Sequence, residues 1–217
     1  KYTIIHTSGS SGKLGLFVYD DKDINTINVL FSKYTFHLKP LFRMLMQRVV
    51  FLGAVNGHYA AYTSFSRFSD YRIPFLPISV ETPIEHIIQQ LNAFQPTIII
   101  VYSSMLPKLA AAQIEGQLNI SPKTITTAGE ILTSNQIDIS KKAFGITPRS
   151  IYGASESIII GADTFSNGGM CLFNNWNLME TVGENDEPVI GDYGLGVLTN
   201  LYNYIVPLIR YRMDDIL

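Results

Sequence analysis

Apolar positions in this chain come in short runs whose spacing alternates between strand and helix, and the alternation predicts most of the elements. Tyr2 to Ile5 and Leu14 to Val18 are apolar runs of strand length on either side of the polar loop Thr7-Ser8-Gly9-Ser10-Ser11-Gly12-Lys13. Asp20 to Asn28 is polar, and Asp23 can cap a helix that runs through Val29-Leu30-Phe31. Pro40 can open a helix over Leu41 to Arg48, leading into Val49 to Leu52, a short run of buried-strand character ended by Gly53. An aromatic-rich helical stretch starts at Gly57-His58-Tyr59, and Pro74 and Pro77 keep Ile73 to Val80 extended. Thr82 as N-cap with Pro83 at the first helical position predicts a helix carrying Ile84, Ile87, Ile88 and Leu91 up to Phe94. A β-branched strand over Thr97 to Tyr102, a helix over Leu106 to Leu118, a strand over Thr124 to Thr127, a helix over Asn135 to Phe144 and a strand over Arg149 to Tyr152 follow.

From Ile158 the period changes to strands in succession with Gly and Asn turns: Ile158 to Ala162, Met170 to Phe173, Leu178 to Val182, Gly196 to Leu201 and Leu208 to Arg212. The expected fold is α/β: a doubly wound, mainly parallel sheet with helices on both faces over 1–157, then a smaller antiparallel β-rich subdomain over 158–217. Ligands of such sheets sit at the carboxyl ends of the strands, where Ala128-Gly129-Glu130 and Gly153 to Glu156 fall.

Composition narrows the function classes. A chain of 217 residues with 47% apolar residues can bury a sizeable core. Sixteen basic against eighteen acidic residues, a formal charge of −2, supply no field for nucleic acid or an anionic membrane. A single cysteine, Cys171, excludes an internal disulfide and points to a reducing compartment. No apolar run reaches membrane-span length, so a soluble, cytoplasmic protein is expected. The chain opens inside a strand-like run and stops at Asp214-Asp215-Ile216-Leu217, which reads as a piece of something longer.

Candidate chemistry begins at the first loop. Its glycines uncover backbone N–H groups, its hydroxyls add donors and Lys13 adds a mobile cation, so it can wrap a phosphate; the same composition also suits a flexible linker. The apolar runs on both sides favour the phosphate loop. Its spacing matches neither the Walker loop nor G-x-G-x-x-G. Gly153-Ala154-Ser155-Glu156-Ser157 approaches a hydrolase elbow, but all four histidines precede it, against the order an elbow requires. Those histidines are also too scattered to hold a metal. Glu156 reads either as a Mg²⁺ carboxylate beside a nucleotide's phosphates or as a helix-capping residue.

Five stretches in order resemble the acyl-adenylate-forming superfamily. Thr7 to Lys13 is similar to its T-S-G-T-T-G-K-P loop, Ala128-Gly129-Glu130 to its G-x-E, and Tyr152 to Glu156 to Y-G-x-[ST]-E. Gly191 to Leu201 is similar to G-E-x-G-E-L…T-N-L, and Pro207 to Asp215 to P-L-I-R-Y-R-T-G-D, as in the phenylacetate-CoA ligase and capsule-biosynthesis branch. The resemblance implies that Thr7, Ser8, Gly9, Ser10, Ser11, Gly12 and Lys13 cradle the ATP phosphates, with Lys13 and Glu156 in catalytic roles. It implies further that Tyr152, with Gly153, Ala154 and Ser155, and the loop Ala128, Gly129 and Glu130 surround the adenine, that Glu156 binds Mg²⁺ and that Asp215 holds the ribose. His58 and Tyr59 fall where the family often walls its acid pocket, though they also fit as core packing.

Leu14, Gly15 and Met213-Asp214 depart from the pattern. Family members also carry a C-terminal domain with a lysine that this chain does not contain. The implied activity is adenylation of a small-molecule carboxylic acid to acyl-AMP and pyrophosphate, with CoA as acceptor. The implied partners exclude nucleic acid and membrane and admit a homodimer. The alternative is a nucleotide-binding piece that performs no chemistry.

Overall fold

The computed structural model describes residues 1–7, 14–35, 47–55, 57–163 and 169–217. Strands β1 (Tyr2–His6) and β2 (Leu16–Asp20) pair antiparallel as a separate hairpin, with Ile5 opposite Phe17 and Thr3 opposite Tyr19. A seven-stranded sheet follows, built from β3 (Val49–Gly53), β4 (Phe75–Ser79), β5 (Ile98–Val101), β6 (Thr124–Ala128), β7 (Arg149–Tyr152), β8 (Gly161–Asp163) and β9 (Met170–Leu172). Its order is β4-β3-β5-β6-β7-β8-β9; the first five strands are parallel and the last two antiparallel. A second sheet of three antiparallel strands comprises β10 (Asn177–Val182), β11 (Leu195–Asn200) and β12 (Tyr211–Ile216).

Alternation along the central strands sends side chains into two cores. Val49 and Phe51 of β3 point with Ile98 and Ile100 of β5 to one face, Val50 and Leu52 with Ile99 and Val101 to the other. Helices α1 (Asp21–Leu30) and α2 (Ala60–Ser66) cover the first face through Ile24, Ile27, Leu30 and Phe65. The second is covered by α3 (Ile84–Phe94) and α4 (Leu106–Ile114), through Ile87, Leu91, Leu106 and Leu109. Each such fully buried aliphatic side chain contributes about 1.5–3 kcal/mol, which makes the sheet the rigid part of the molecule. The expected α/β class, with helices on both faces and a smaller antiparallel sheet, is the one observed.

Details at element ends differ from the sequence expectation. The N-cap of α1 is Asp20, whose Oδ1 accepts from the Asp23 N–H at 2.8 Å while Asp23 Oδ2 accepts from the Asp20 N–H at 2.9 Å, so Asp23 closes a capping box instead of starting the helix. Pro83, not Thr82, stands at the cap of α3: its ψ of 140° is extended, and its carbonyl accepts from the N–H of His86 and Ile87. Helix α4 stops at Ile114, where Gly116 turns left-handed with φ +75°. Helix α5 (Ser134–Phe144) starts one residue before the expected Asn135, with Thr133 and Gln136 closing a second capping box.

Ile158 to Ile160 are fully buried but lie outside the strand. Single bonds hold them instead, Ile160 N–H to the Tyr152 carbonyl at 2.9 Å and Phe173 N–H to the Ile160 carbonyl at 2.8 Å. The last strand begins at Tyr211, not Leu208, since Arg210 takes φ +51° and breaks the ladder before it. Of the expected helix over Leu41 to Arg48, residues 41–46 lie outside the described residues, and Gln47 and Arg48 are not helical.

Candidate active site

The carboxyl ends of β5, β6 and β7 open into one cavity of about 290 Å³, at the edge of the sheet's parallel part that the doubly wound topology reserves for ligands. Ala128 and Gly129 enter it from β6, Gly153, Ala154 and Ser155 from β7, Tyr102 from the end of β5 and Tyr59 from the start of α2. Gly129 has φ +78°, and a side chain at Gly153 would collide with the Ile158 carbonyl, so glycine is required at both turns.

The hairpin carrying the phosphate-loop candidate is pinned beside this cavity. At the loop's base Thr7 N–H donates to the Gly15 carbonyl and Gly15 N–H to Thr7 Oγ1, both at 3.0 Å. Ser8, Gly9, Ser10, Ser11, Gly12 and Lys13 lie outside the described residues. The Tyr19 hydroxyl donates to the Ser155 carbonyl at 2.7 Å, and Ser155 Oγ donates to the His6 carbonyl at 3.2 Å. Tyr19 is fully buried, and burial pushes its phenol well above the ordinary value, so the hydroxyl stays a donor.

Tyr152 and Asp215, assigned by resemblance to adenine and ribose, are already in contact: the Tyr152 hydroxyl donates to Asp215 Oδ2 at 2.7 Å. Burial first, and then this bond, raise the Tyr152 phenol. A small cluster of Ile160, Leu198 and Met213, with Tyr152 and Ala154 against it, holds β11 and β12 to the end of β7 and so delivers Asp215. Glu156 does not line the cavity. Its carboxyl is raised by burial, then by the charges of Asp215 and Asp214, while a hydrogen bond with Tyr211 acts the other way. Among the described residues, no group of three His, Cys, Asp or Glu is arranged to hold a metal by itself.

Glu130 is committed elsewhere: its carboxylate accepts from the Ser104 N–H at 2.7 Å and from the hydroxyls of Ser104 and Ser103 at 3.0 and 3.2 Å. That ties the loop after β6 to the turn opening α4. His58 is exposed and does not line the cavity; its N–H donates to His6 Nε2 at 3.2 Å and its ring meets that of His6 edge-on at 6.4 Å, whereas Tyr59 lines the cavity with its ring 4.9 Å from that of His6.

A network not foreseen from the sequence braces all of this from below. Asn200 Oδ1 accepts from the N–H of Tyr202 and Asn203 at 3.0 and 2.9 Å, while its Nδ2 donates to the Glu156 carbonyl at 3.2 Å. Asn203 donates to the Val18 carbonyl at 3.0 Å, linking the hairpin to the same turn. Ser157 joins through Asn177 Oδ1 at 2.6 Å and the Tyr202 hydroxyl at 3.0 Å.

The fold is shared with known enzymes. An open conformation of 2-hydroxyisobutyryl-CoA ligase, in complex with 2-HIB-AMP and CoA, matches 98% of this chain with a TM-score of 0.78 at 19% identity. The chain carries the fold of acyl-adenylate-forming ligases. The amide bond synthetase McbA from Marinactinospora thermotolerans shares this fold over 92% of the chain, with a TM-score of 0.68 at 12% identity. In sequence, the fumarate–(S)-2,3-diaminopropanoate ligase of Enterobacter agglomerans is 27% identical over 168 residues, 75% of this chain. No family model matches. The chain spans 41% of that curated ligase and 47% of the 2-hydroxyisobutyryl-CoA ligase chain.

Proposed function

We propose that this chain forms the nucleotide-binding core of an enzyme that joins ATP and a carboxylic acid into acyl-AMP with release of pyrophosphate. CoA then takes the acyl group. The observation carrying the reading is convergence: the hairpin with the phosphate-loop candidate, the Ala128-Gly129 turn and the Gly153 to Ser155 turn meet around one cavity, with the Tyr152–Asp215 pair joined by a hydrogen bond.

In the proposed reaction a carboxylate oxygen attacks the α-phosphorus, the bond to the bridging oxygen breaks, and pyrophosphate leaves. Positioning and charge stabilisation supply the acceleration. Lys13 and the loop hydroxyls hold the phosphates, Tyr152 stacks on the adenine beside the Ala128 to Glu130 loop, and Asp215 accepts from the ribose hydroxyls. Glu156, raised first by burial and then by the charges of Asp215 and Asp214, suits a divalent cation whose charge would relieve that repulsion. Mg²⁺ bound there would neutralise phosphate charge. Support comes from the fold shared with a ligase whose complex contains 2-HIB-AMP and CoA.

Calorimetric titration with ATP and AMP tests the reading. Lys13→Ala should weaken ATP binding by about 1.5 to 3 kcal/mol, the range for hydrogen bonds to charged groups, with AMP less affected. Equal ATP affinity in the two proteins would return the loop to a linker role. ATP–pyrophosphate exchange across a panel of acids tests the chemistry, and nucleotide binding without exchange would support the non-catalytic alternative.

A further inference from the structure

A polar cleft of about 260 Å³ lies at the opposite end of the hairpin from the phosphate-loop candidate, and the adenylation reading makes no use of it. One wall is a face of α1, where Asp21, Ile24, Asn25 and Asn28 repeat at helical spacing; the other is Arg67 and Asp70, in the single 3-10 turn Arg67–Tyr71 that follows α2. Tyr2 pairs with Asp20 at this end of the hairpin and His6 with Leu16 at the loop end, so at 3.4 Å per residue the two ends stand roughly 14 Å apart. Among the described residues, this lining and that of the cavity at the ends of β5 to β7 share none.

Asn28 marks the cleft as more than a notch. It is 6% exposed, and neither atom of its carboxamide has a hydrogen-bond partner, although the group can donate two bonds and accept two. A buried amide in that state burdens the fold, and a ligand that brings an acceptor and a donor side by side lifts the burden. The terminal torsion of an asparagine is broad, so the amide can swing to meet such a ligand.

Charge is graded along the cleft. Asp21 and Asp70, with side chains 52% and 58% exposed, stand at the mouth, and Arg67, 21% exposed, lies further in. The guanidinium is fixed by bonds to Asp70 Oδ2 at 3.3 Å and Thr3 Oγ1 at 3.1 Å, with Asp21 Oδ1 at 3.6 Å; these two hydrogen bonds leave further N–H groups of the fork for a ligand. Lys1 is also in the lining, so the side-chain charges balance, two cations against two carboxylates.

We propose that this cleft binds a small α-amino acid as its zwitterion. The ligand's carboxylate accepts from Arg67 and from Asn28 Nδ2, while its ammonium donates to Asn28 Oδ1 and faces Asp21 and Asp70 at the mouth. A lone anion would leave Asn28 Oδ1 unpaired, and a lone cation would meet the guanidinium. The volume falls just short of the usual range for small-molecule sites, roughly 300–1,000 Å³, so the side chain is short and rests against Ile24. Nothing in this assignment depends on adenylation.

The test is titration of the isotope-labelled 217-residue chain, followed through its backbone amide NMR signals, with L-alanine, L-serine, acetate and methylammonium. Alanine and serine should shift the amides of α1 and of the Arg67–Tyr71 turn, and acetate and methylammonium should bind at least about tenfold more weakly, since each makes only part of the charge-assisted contacts. Asn28→Leu removes the unpaired amide, so it should melt no lower than the wild type while alanine binds at least about tenfold more weakly. Should that variant fail to fold, Asp70→Asn takes its place at the exposed mouth, with a loss in alanine affinity again expected. Acetate binding as tightly as alanine would reduce the cleft to an anion site on Arg67 and overturn the proposal. So would the absence of binding by either amino acid, which would mean that the cleft holds water only, shifts confined to the turns after β6 and β7, or unchanged alanine affinity in the variant.

Discussion

The Tyr19 hydroxyl and the Ser155 carbonyl, 136 residues apart, are joined by a 2.7 Å hydrogen bond that fixes the β1–β2 hairpin to the turn after β7. Two candidate nucleotide-binding stretches thereby share one anchor.

Tyr19→Phe keeps the ring and leaves the Ser155 carbonyl without this partner, so stability should fall by about 1–3 kcal/mol in denaturant melts. Hydrogen exchange should show the loss concentrated in β1 and β2; a loss spread evenly over the sheet would mean that the bond does not hold the hairpin. Because burial raises the Tyr19 phenol in the folded state, its stabilising contribution is complete below the ordinary tyrosine value of about 10 and disappears as pH rises beyond it. Tyr202, raised to about 12 by burial, acts in the same direction. The wild type should therefore lose stability above pH 10 more steeply than Tyr19→Phe.

Asn200→Ala removes the acceptor of two backbone N–H groups and the donor to the Glu156 carbonyl. We expect a cost of about 2 to 4 kcal/mol, against about 0.5 kcal/mol or less for Tyr204→Ala on the exposed side of the same turn. Similar melts for the two variants would mean that the asparagine is replaceable by water.

At Tyr152 the ring and the hydroxyl have separable tasks. Tyr152→Ala should weaken AMP by about 1–3 kcal/mol through lost stacking, whereas Tyr152→Phe should retain AMP affinity, since it frees Asp215 for the ribose. Equal losses in both, read by calorimetry, would place the nucleotide contact on the hydroxyl instead.

Glu156→Gln should stabilise the fold and impair binding at once. A carboxyl raised in the folded state contributes most below the ordinary carboxylate range and loses that contribution as pH rises through its folded value, so the charged form is a burden at neutral pH. Removing the charge should raise the melting temperature at pH 7 but not at pH 4, and should weaken Mg²⁺-dependent ATP binding while sparing AMP. A lower melting temperature at pH 7 would mean that the carboxylate is structural.

How far the sequence reaches is visible element by element. The β-branched run read over Thr97 to Tyr102 is a local pattern and formed a strand over Ile98–Val101, whereas the Thr133–Gln136 capping box, equally local, was not read. Strand ends were harder: Ile158 to Ile160 have the composition of a strand but are held by packing and single hydrogen bonds without a ladder, and no local feature separates the two cases. In the site, the glycine turns at Gly129 and Gly153 were legible, because a backbone that must turn or approach closely constrains its own residue. Tyr19, Asn203 and the paired rings of Phe31 and Phe65 in the cavity lining were not. Their partners lie in distant parts of the chain, as Val18 and Asn203 show at 185 residues, and pairing over that distance leaves no periodic trace.

The hairpin's independence from the seven-stranded sheet divides adhesion from alignment. Burial of Ile5, Phe17 and Tyr19 holds it down, but such contact is non-directional and tolerates sliding. Its address is written in a handful of hydrogen bonds, among them those of Tyr19, Ser155, Asn203 and Arg67 and the pair between His6 and His58, none of which belongs to a strand ladder. Substitutions there can misdirect the loop at a cost of about 1–3 kcal/mol while the seven-stranded sheet keeps its fold, so the damage to alignment would exceed the damage to stability.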